Sequence, residues 1–585
     1  MKGFRKKYLV CLVLALIPQI LVTLNPMFTQ KIVDDVLYQL PSHEGNVEPL
    51  IRELTWLVGL MIVCTAARTV MRYFGMVGLE DCGQKFLYSV KEQIYGKLQR
   101  QDRAFYKQHQ TGDLMTRVTG DVEMGKHGIV NLSRGFLECV VLYGASSVYM
   151  FSKDVLLTLS LMVFTPLIFV VTYKFARSAR PYYKDLRERL ARLNSNAQEN
   201  IEGNRIVKAF TREDYEIEKF RKKNKEFRDA NLKASFVWLR YYPAIESFSQ
   251  ALPLMVVLVG GYFLMNGRIT SGTFLAFNSL CWTLAAPMRT LGMLINDTQR
   301  FYASMDKVID LYEATPDIKN KEGELVKKDR LLGEIEFRNV SVQLEHSDIL
   351  EHVDLHIHPG ETVAVMGATG SGKTTLVNCI SRFIDVTEGQ VLLDGVDVRD
   401  YDLDVLRRNI GVANQDVFLF SDTISHNIAF GNSSLPKWEI ERVARRAKAD
   451  FVWSMDQGFY TMIGERGTGL SGGQKQRLAL ARALAVKPPI LILDDTTSAV
   501  DMETETMIQE NLEALDFACT KIIIAQRVFS ARTADKVVIL DKGQIVEYGT
   551  PKELLQKNGY FAEIYLLQTG FNCVEDALKE ETREG

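Results

Sequence analysis

The sequence predicts a multidomain chain: an all-α six-helix transmembrane domain, followed by an α/β domain built on a mostly parallel sheet. Three observations carry this. Long apolar runs are confined to the residues before about 300. Beyond them, short apolar runs such as Val363–Met366, Ile490–Leu493, Ile522–Ala525 and Val537–Leu540 alternate with helical patterns, as in a parallel sheet covered by helices. The first of these runs feeds directly into Gly-Ala-Thr-Gly-Ser-Gly-Lys-Thr-Thr at Gly367–Thr375, a glycine loop of phosphate-cradling type.

At 585 residues the chain has room for several domains. The expected bounds are 1–300 for the transmembrane domain, 301–332 for a polar linker, 333–570 for the nucleotide-binding domain and 571–585 for an acidic tail. The formal net charge of −2 implies no bulk attraction to nucleic acid. The eight cysteines are scattered with no C-x-x-C pair, which argues against a disulfide framework or a zinc site.

The membrane part begins with a short basic segment, Met1–Lys7, then an uncharged apolar run from Tyr8 to about Phe28. That run is long enough to span a bilayer. A cleaved signal peptide is the rival, but no small-residue cleavage site follows. Five more candidate spans lie near 55–78, 129–151, 155–176, 248–266 and 272–296. Six spans return the chain to the side where it began. The segments 79–128 and 177–247 are crowded with Lys and Arg and patterned as helices. The loops Asp34–Arg52, Ser152–Asp154 and Asn266–Thr270 hold few basic residues. The positive-inside rule therefore places both termini in the cytoplasm of a multi-pass inner (plasma) membrane protein. Arg68, Arg72, Glu138 and Arg289 fall inside the apolar spans. Charges there face a bundle interior or a wet cavity. Glu138 and Arg289 are candidates for touching substrate, against the alternative of internal ion pairs. Phe277, Trp282 and Met288 either line a greasy pocket or simply pack.

The glycine loop fits G-x-x-x-x-G-K-[ST] with a strand before it and a helix after it, the context of a P-loop NTPase domain. Its backbone N–H groups turn inward to phosphate, and the helix N-terminus adds positive potential. Gly367, Thr369, Gly370, Ser371, Gly372, Lys373, Thr374 and Thr375 are the expected ATP-binding residues. Lys373 would reach the β- and γ-phosphates, and the Thr374 hydroxyl would ligate Mg²⁺. Asp494 ends the run Ile490–Leu493 and is placed to hold Mg²⁺ too, since ligands bind at the C-terminal ends of such strands. Leu470-Ser471-Gly472-Gly473-Gln474 opens a second helix and offers a second anion site, or else an ordinary capped start. One P-loop does not need two cradles for the same phosphates, which hints that two copies of the domain face each other.

Taken together, these motifs resemble the ATP-binding cassette exporters, specifically half-transporters with six spans fused to one nucleotide-binding domain. The resemblance covers nearly the whole chain. It adds Gln415, within Ala413–Asp416, as a contact to ATP and Mg²⁺, and the D-loop Ser498–Asp501 with Asp501. It makes Leu470, Ser471, Gly472, Gly473 and Gln474 a signature motif that closes over ATP held by a partner chain. Thr111–Met115 and Gly203–Phe210 resemble the two cytoplasmic coupling regions. The implied cofactors are ATP and Mg²⁺. The implied partners are a second half-transporter, the lipid bilayer and a small amphipathic substrate, with no nucleic acid.

Three positions depart from the family. The general base after Asp494 is usually Glu, and here it is Asp495. The shorter arm withdraws the carboxylate, and a misplacement of about 1 Å can cost on the order of a hundredfold in rate. The switch residue is usually His, and here it is Gln526, which cannot become cationic. An aromatic usually stacks on adenine, whereas the aligned position here is Leu344. All three fall on the composite site built from this chain's own P-loop, while the signature is intact. The pattern resembles heterodimeric bacterial multidrug exporters, with this chain supplying the hydrolysis-poor Walker motifs and the competent site's signature. Lipid or peptide export and a membrane-bound ATP-dependent sensor stay open. Six spans disfavour a soluble ATPase for nucleic-acid work.

Overall fold

The computed structural model describes residues 4–38, 48–344 and 347–569. The chain divides into two compact units. One runs to Gln101 and from Tyr106 to Thr315; the other takes Asp102–Phe105 and everything from Pro316 onward.

The first unit is helical. Five helices are long and apolar enough to cross a membrane: Arg5–Leu37, Glu48–Leu98, Thr111–Lys153, Val155–Glu202 and Glu213–Met265. The sixth expected span lies within one uninterrupted helix, Ser271–Glu313. Asn278, Ser279, Thr283, Arg289 and Thr290 dilute its apolar character, and it is not among those five. The helix runs on to Glu313, well into the stretch expected as linker. Helices also fill much of the basic segments, in Glu48–Leu98, Phe164–Glu202 and Glu213–Met255. Short helices stand at Thr111–Thr116 and Asn204–Ala209, where the coupling regions were expected. In the second, Ile206 is exposed, as is Phe210 just after it. The stretch expected as the outward loop Asp34–Arg52 is helical at both described ends, and 39–47 lie outside the described residues.

The core of this unit joins Met150, Leu157, Leu161, Ile168, Leu252 and Leu280. Phe277 is fully buried in it, Met288 packs on its edge, and Trp282 is exposed. Pro253 removes a backbone donor inside its helix, and the chain widens into a π-turn at Val256–Gly260. Two turns are tied together by Asp154, which accepts from Leu157 N at 2.8 Å and pairs with Arg268 at 2.7 Å.

The second unit contains ten strands among its described residues: β1 (Ile335–Leu344), β2 (Ser347–Ile357), β3 (Thr362–Met366), β4 (Glu388–Leu393), β5 (Val396–Asp397), β6 (Ile410–Ala413), β7 (Ile490–Asp494), β8 (Thr520–Ile524), β9 (Lys536–Asp541) and β10 (Gln544–Gly549). They form a six-stranded sheet in the order β10-β9-β3-β8-β7-β6 and a four-stranded sheet in the order β2-β1-β4-β5. In the larger sheet every pairing is parallel except the β10–β9 edge. β7 is buried along its whole length, as a strand covered on both faces must be. The smaller sheet is antiparallel and alternates buried with exposed positions along β2. Phe337, Ile522 and Val365 share one core, and each such side chain contributes about 1.5–3 kcal/mol by leaving water. The last described helix is Tyr560–Thr569. The expected acidic tail, 571–585, lies outside the described residues.

Candidate nucleotide site

The phosphate loop is held by backbone geometry that only glycine supplies. Gly367 opens it at φ 144° and Gly372 closes it at φ 103°. A Cβ on Gly367 would stand 2.1 Å from the Leu540 carbonyl oxygen, and one on Gly372 would stand 2.8 Å from that of Ile349. The loop then enters the helix Lys373–Ile380, with Thr375 half-buried in its first turn. Thr369 and Gly370 are exposed at the mouth. The Ser371 hydroxyl is buried and has no hydrogen-bond partner among the described residues. An orphaned hydroxyl in a glycine loop at a helix start would be satisfied by a phosphate oxygen. Lys373 Nζ folds back over the loop, donating to the carbonyls of Gly367 and Ala368 at 2.8 Å each. Burial lowers its pKa, against the opposing pull of Asp494 and Asp495. To hold a phosphate, the ammonium exchanges those carbonyls for phosphate oxygens.

The residues present also fit Mg²⁺. Thr374 Oγ1 donates to Asp494 Oδ2 at 3.2 Å. An octahedral ion with ligands at about 2.0–2.1 Å sets neighbouring oxygens about 3 Å apart, close to that spacing. Asp494 ends buried β7, and burial raises its pKa despite the Thr374 hydrogen bond. A bound cation would supply the positive charge this carboxyl lacks.

Next to it, Asp495 adopts a left-handed backbone at φ 50°. Burial raises its pKa, partly offset by Ser498, Arg527 and Gln415. Its Oδ2 accepts from Gln415 Nε2 at 3.2 Å and from Gln526 Nε2 at 2.9 Å. One carboxylate oxygen therefore joins the segment after β6 to the segment after β8. Gln526 is itself anchored: Gln568 Nε2 donates to its carbonyl at 3.2 Å, and Val528 N donates to Gln568 Oε1 at 2.8 Å. Leu344 is half-buried at the end of β1, packed on the sheet core.

Leu470–Gln474 start the helix Gly472–Ala485. Ser471 and Gln474 form a capping box, with Gln474 N to Ser471 Oγ at 3.3 Å and Ser471 N to Gln474 Oε1 at 2.8 Å. A Cβ on Gly473 would stand 2.7 Å from the Ala499 carbonyl oxygen, whereas one on Gly472 meets only the Ala499 Cβ at 3.5 Å. Asp501 caps the helix Met502–Glu513, accepting from Thr504 N at 3.0 Å. Among the described residues no hydrogen bond joins Leu470–Gln474 to the phosphate loop.

Several contributors carry no sequence signal of their own. Gln476, on the signature helix, donates to the Asp495 carbonyl at 3.3 Å and to Ser498 Oγ at 3.1 Å, and accepts from Ala499 N at 3.1 Å. Glu505 is fully buried and accepts from Thr497, Ser530 and Arg527. Away from this site, Glu334, His356 and His358 place potential metal-ligating atoms within 4.8 Å of one another. That cluster needs no cysteine and joins residues on two strand ends.

The two candidate substrate residues separate in the membrane unit. Glu138 pairs with Arg134, one helical turn away, at 2.8 Å. Arg289 pairs with Glu246 at 2.9 Å and lines a cavity of about 720 Å³ between three helices. Glu138 is not among that cavity's lining residues.

Fold and site define a membrane-embedded chain with an ATP-binding domain. Residues 8–288 match the family described as ABC transporter transmembrane region, and residues 350–498 match ABC transporter. The chain belongs to the ABC transporters and has the build of an exporter half-transporter. It is 35% identical to the uncharacterized ABC transporter ATP-binding protein YknU of Bacillus subtilis, covering 97% of this chain and 95% of that one. It is 35% identical to the ATP-dependent lipid A-core flippase of Syntrophus aciditrophicus, covering 90% and 87%. It is 32% identical to YgaD of Bacillus subtilis, provisionally named as a multidrug export ATP-binding/permease protein, covering 97% and 98%. The fold matches a bacterial Atm1-family ABC exporter with ATP bound at a TM-score of 0.81 and 24% identity, over 97% of this chain and 99% of that one.

Proposed function

We propose that this chain is one half of a heterodimeric exporter that moves amphipathic compounds outward across the plasma membrane at the expense of ATP. Its own Walker motifs form the hydrolysis-poor site. Gly367, Thr369–Thr375 and Gln415 hold ATP there, Thr374, Asp494 and Gln415 hold Mg²⁺, and Leu344 lies against adenine. Its signature, Leu470–Gln474, completes the partner's competent site, with the D-loop Asp501 alongside. The nucleotide-binding domain proposed is 333–570, the last helix of the transmembrane domain runs on past 300 to Glu313, and both termini are cytoplasmic.

One observation carries the reading. The carboxylate at the general-base position is short and is engaged by two amides, from Gln415 and Gln526. A base must reach the water it activates, within about 2.6–3.2 Å. Asp495 instead braces two loops, and Gln526 adds no positive charge to the γ-phosphate. The site is suited to retaining nucleotide rather than turning it over. Lipid transport is the second reading, favoured by the likeness to a lipid flippase.

The test is the ATPase rate of this chain purified alone and co-expressed with a half-transporter bearing Glu and His at these positions. Alone it should turn over little; the pair should be faster by an order of magnitude or more. Fast turnover by a verified homodimer would refute the proposal.

A further inference from the structure

The cavity of about 720 Å³ in the membrane unit is lined by the helices Phe164–Glu202, Glu213–Met255 and Ser271–Glu313. Five of its lining residues are cationic: Arg180, Lys184, Arg187, Arg289 and Arg300. None is Asp or Glu. Four are aromatic: Phe175, Tyr183, Trp238 and Tyr242. The charge is only partly met from outside the cavity. Arg289 pairs with Glu246 at 2.9 Å, Arg300 with Asp297 at 3.7 Å and Lys184 with Glu188 at 3.9 Å. Among the described residues neither Arg180 nor Arg187 has an ion pair. Arg180, Lys184 and Arg187 are exposed, so their charges stay solvated, and the cavity presents them as an open basic patch whose field attracts an anion.

The lining is also graded. Along the first helix it runs Thr172, Phe175, Ala176 and Ala179, then Arg180, Tyr183, Lys184 and Arg187. At the helical rise of 1.5 Å per residue, the apolar and basic ends stand about 20 Å apart. At the Thr172 end the helices cross tightly, where a Cβ on Gly292 would stand 2.3 Å from Thr172 Cγ2, and the one cation nearby, Arg289, is met by Glu246. Trp238 and Tyr242 stack at 4.4 Å between centroids and form part of the wall. Such rings suit the boundary between hydrocarbon and headgroups.

We propose that this cavity binds an amphiphile with an anionic headgroup, its tail against the Thr172–Ala179 end and its headgroup among Arg180, Lys184 and Arg187. The site deepens the export reading by naming a substrate class, and it rests on that reading only for the direction of transport. Guanidinium groups fit phosphate and carboxylate oxygens two at a time, which favours Arg over Lys here.

Binding is measured without nucleotide, on the full complex in neutral-lipid nanodiscs. The probes share one short fluorescent acyl chain and carry phosphatidylglycerol, phosphatidylcholine or a quaternary-ammonium headgroup; soluble glycerol phosphate tests the headgroup alone. The phosphatidylglycerol probe should bind at least about tenfold more tightly than the phosphatidylcholine probe, since each Lys or Arg near a lipid anion adds roughly fivefold and three stand together here. Glycerol phosphate should compete at least about tenfold more weakly than the lipid probe. Replacing Arg180, Lys184 and Arg187 together by Gln should remove the preference. Arg180→Lys with Arg187→Lys should keep most of it, which separates lost charge from lost folding. Equal binding of all three headgroups, a preference for the cationic probe, or a preference that survives the triple Gln replacement overturns the proposal. Selective binding with no ATP-driven transport in vesicles overturns the export reading and leaves the site standing.

Discussion

At the residue scale, Asp494 and Asp495 are adjacent carboxylates given different work by what surrounds them. Asp494 is buried beside Thr374, and its pKa is raised chiefly by that burial. A raised carboxyl pKa means that the folded state holds the proton more tightly than the unfolded chain does. Stability is then lost as pH rises through that range, and at neutral pH the charge is a cost. Asp494→Asn should therefore raise the melting temperature of the nucleotide-free domain at pH 7 by about 2–4 °C. The gain should fade below about pH 4, where the wild-type group is protonated. The same variant should lose Mg²⁺-dependent ATP binding. Melting curves at pH 7 and pH 4 check it, and a lower melting point at pH 7 would contradict it. The phosphate loop was legible in sequence because glycine, lysine and threonine at fixed spacing are what phosphate and Mg²⁺ demand. The double engagement of Asp495 was not, because it joins segments separated by 80 and 31 residues. Sequence shows that the side chain is short but not what holds it.

At the element scale, the signature is a helix start before it is a ligand site. Ser471 and Gln474 exchange both bonds of a capping box. Ser471→Ala should cost the nucleotide-binding domain about 1 kcal/mol of stability. Turnover should fall by more than that loss predicts, because the proposed contact of the hydroxyl with the partner's nucleotide is also removed. Ser471→Asp should restore the cap but not the turnover, since a carboxylate repels phosphate. Denaturant midpoints and ATPase rates of both variants test this. The strands of the parallel sheet were readable as unbroken apolar runs such as Ile490–Leu493. The antiparallel sheet was not, because β1 and β2 alternate buried with exposed positions and their register is set by their pairing with each other. The stretch after residue 300 misled for the opposite reason. Its polar composition suggests a linker, yet helix continues to Glu313, as it does in other solvated parts of these long helices.

At the scale of the assembled transporter, the proposed asymmetry orders three variants. Gly472→Asp places a carboxylate against the partner's γ-phosphate. Gly472 itself has room for a side chain, with 3.5 Å from its Cβ position to Ala499, so the fold tolerates the change. Repulsion in a partly dry site costs on the order of several kcal/mol, enough to lower turnover by orders of magnitude. Asp495→Asn alters a group already engaged with Gln415 and Gln526, and steady-state ATPase should fall far less. Lys373→Ala should chiefly shorten nucleotide retention, with an intermediate effect on rate. ATPase rates of the three variants in one complex decide the order. If Asp495→Asn is as damaging as Gly472→Asp, this chain's P-loop hosts the main hydrolytic event.

The Gln568 amide gives the last described helix a hold on Gln526 and Val528. An antibody fragment or peptide that draws Tyr560–Thr569 away from its seat would thus slacken Gln526, the proposed switch residue, without entering the nucleotide pocket. Inhibition of that kind would be non-competitive with ATP, and Gln568→Ala, which cuts the tether, would make the transporter indifferent to it.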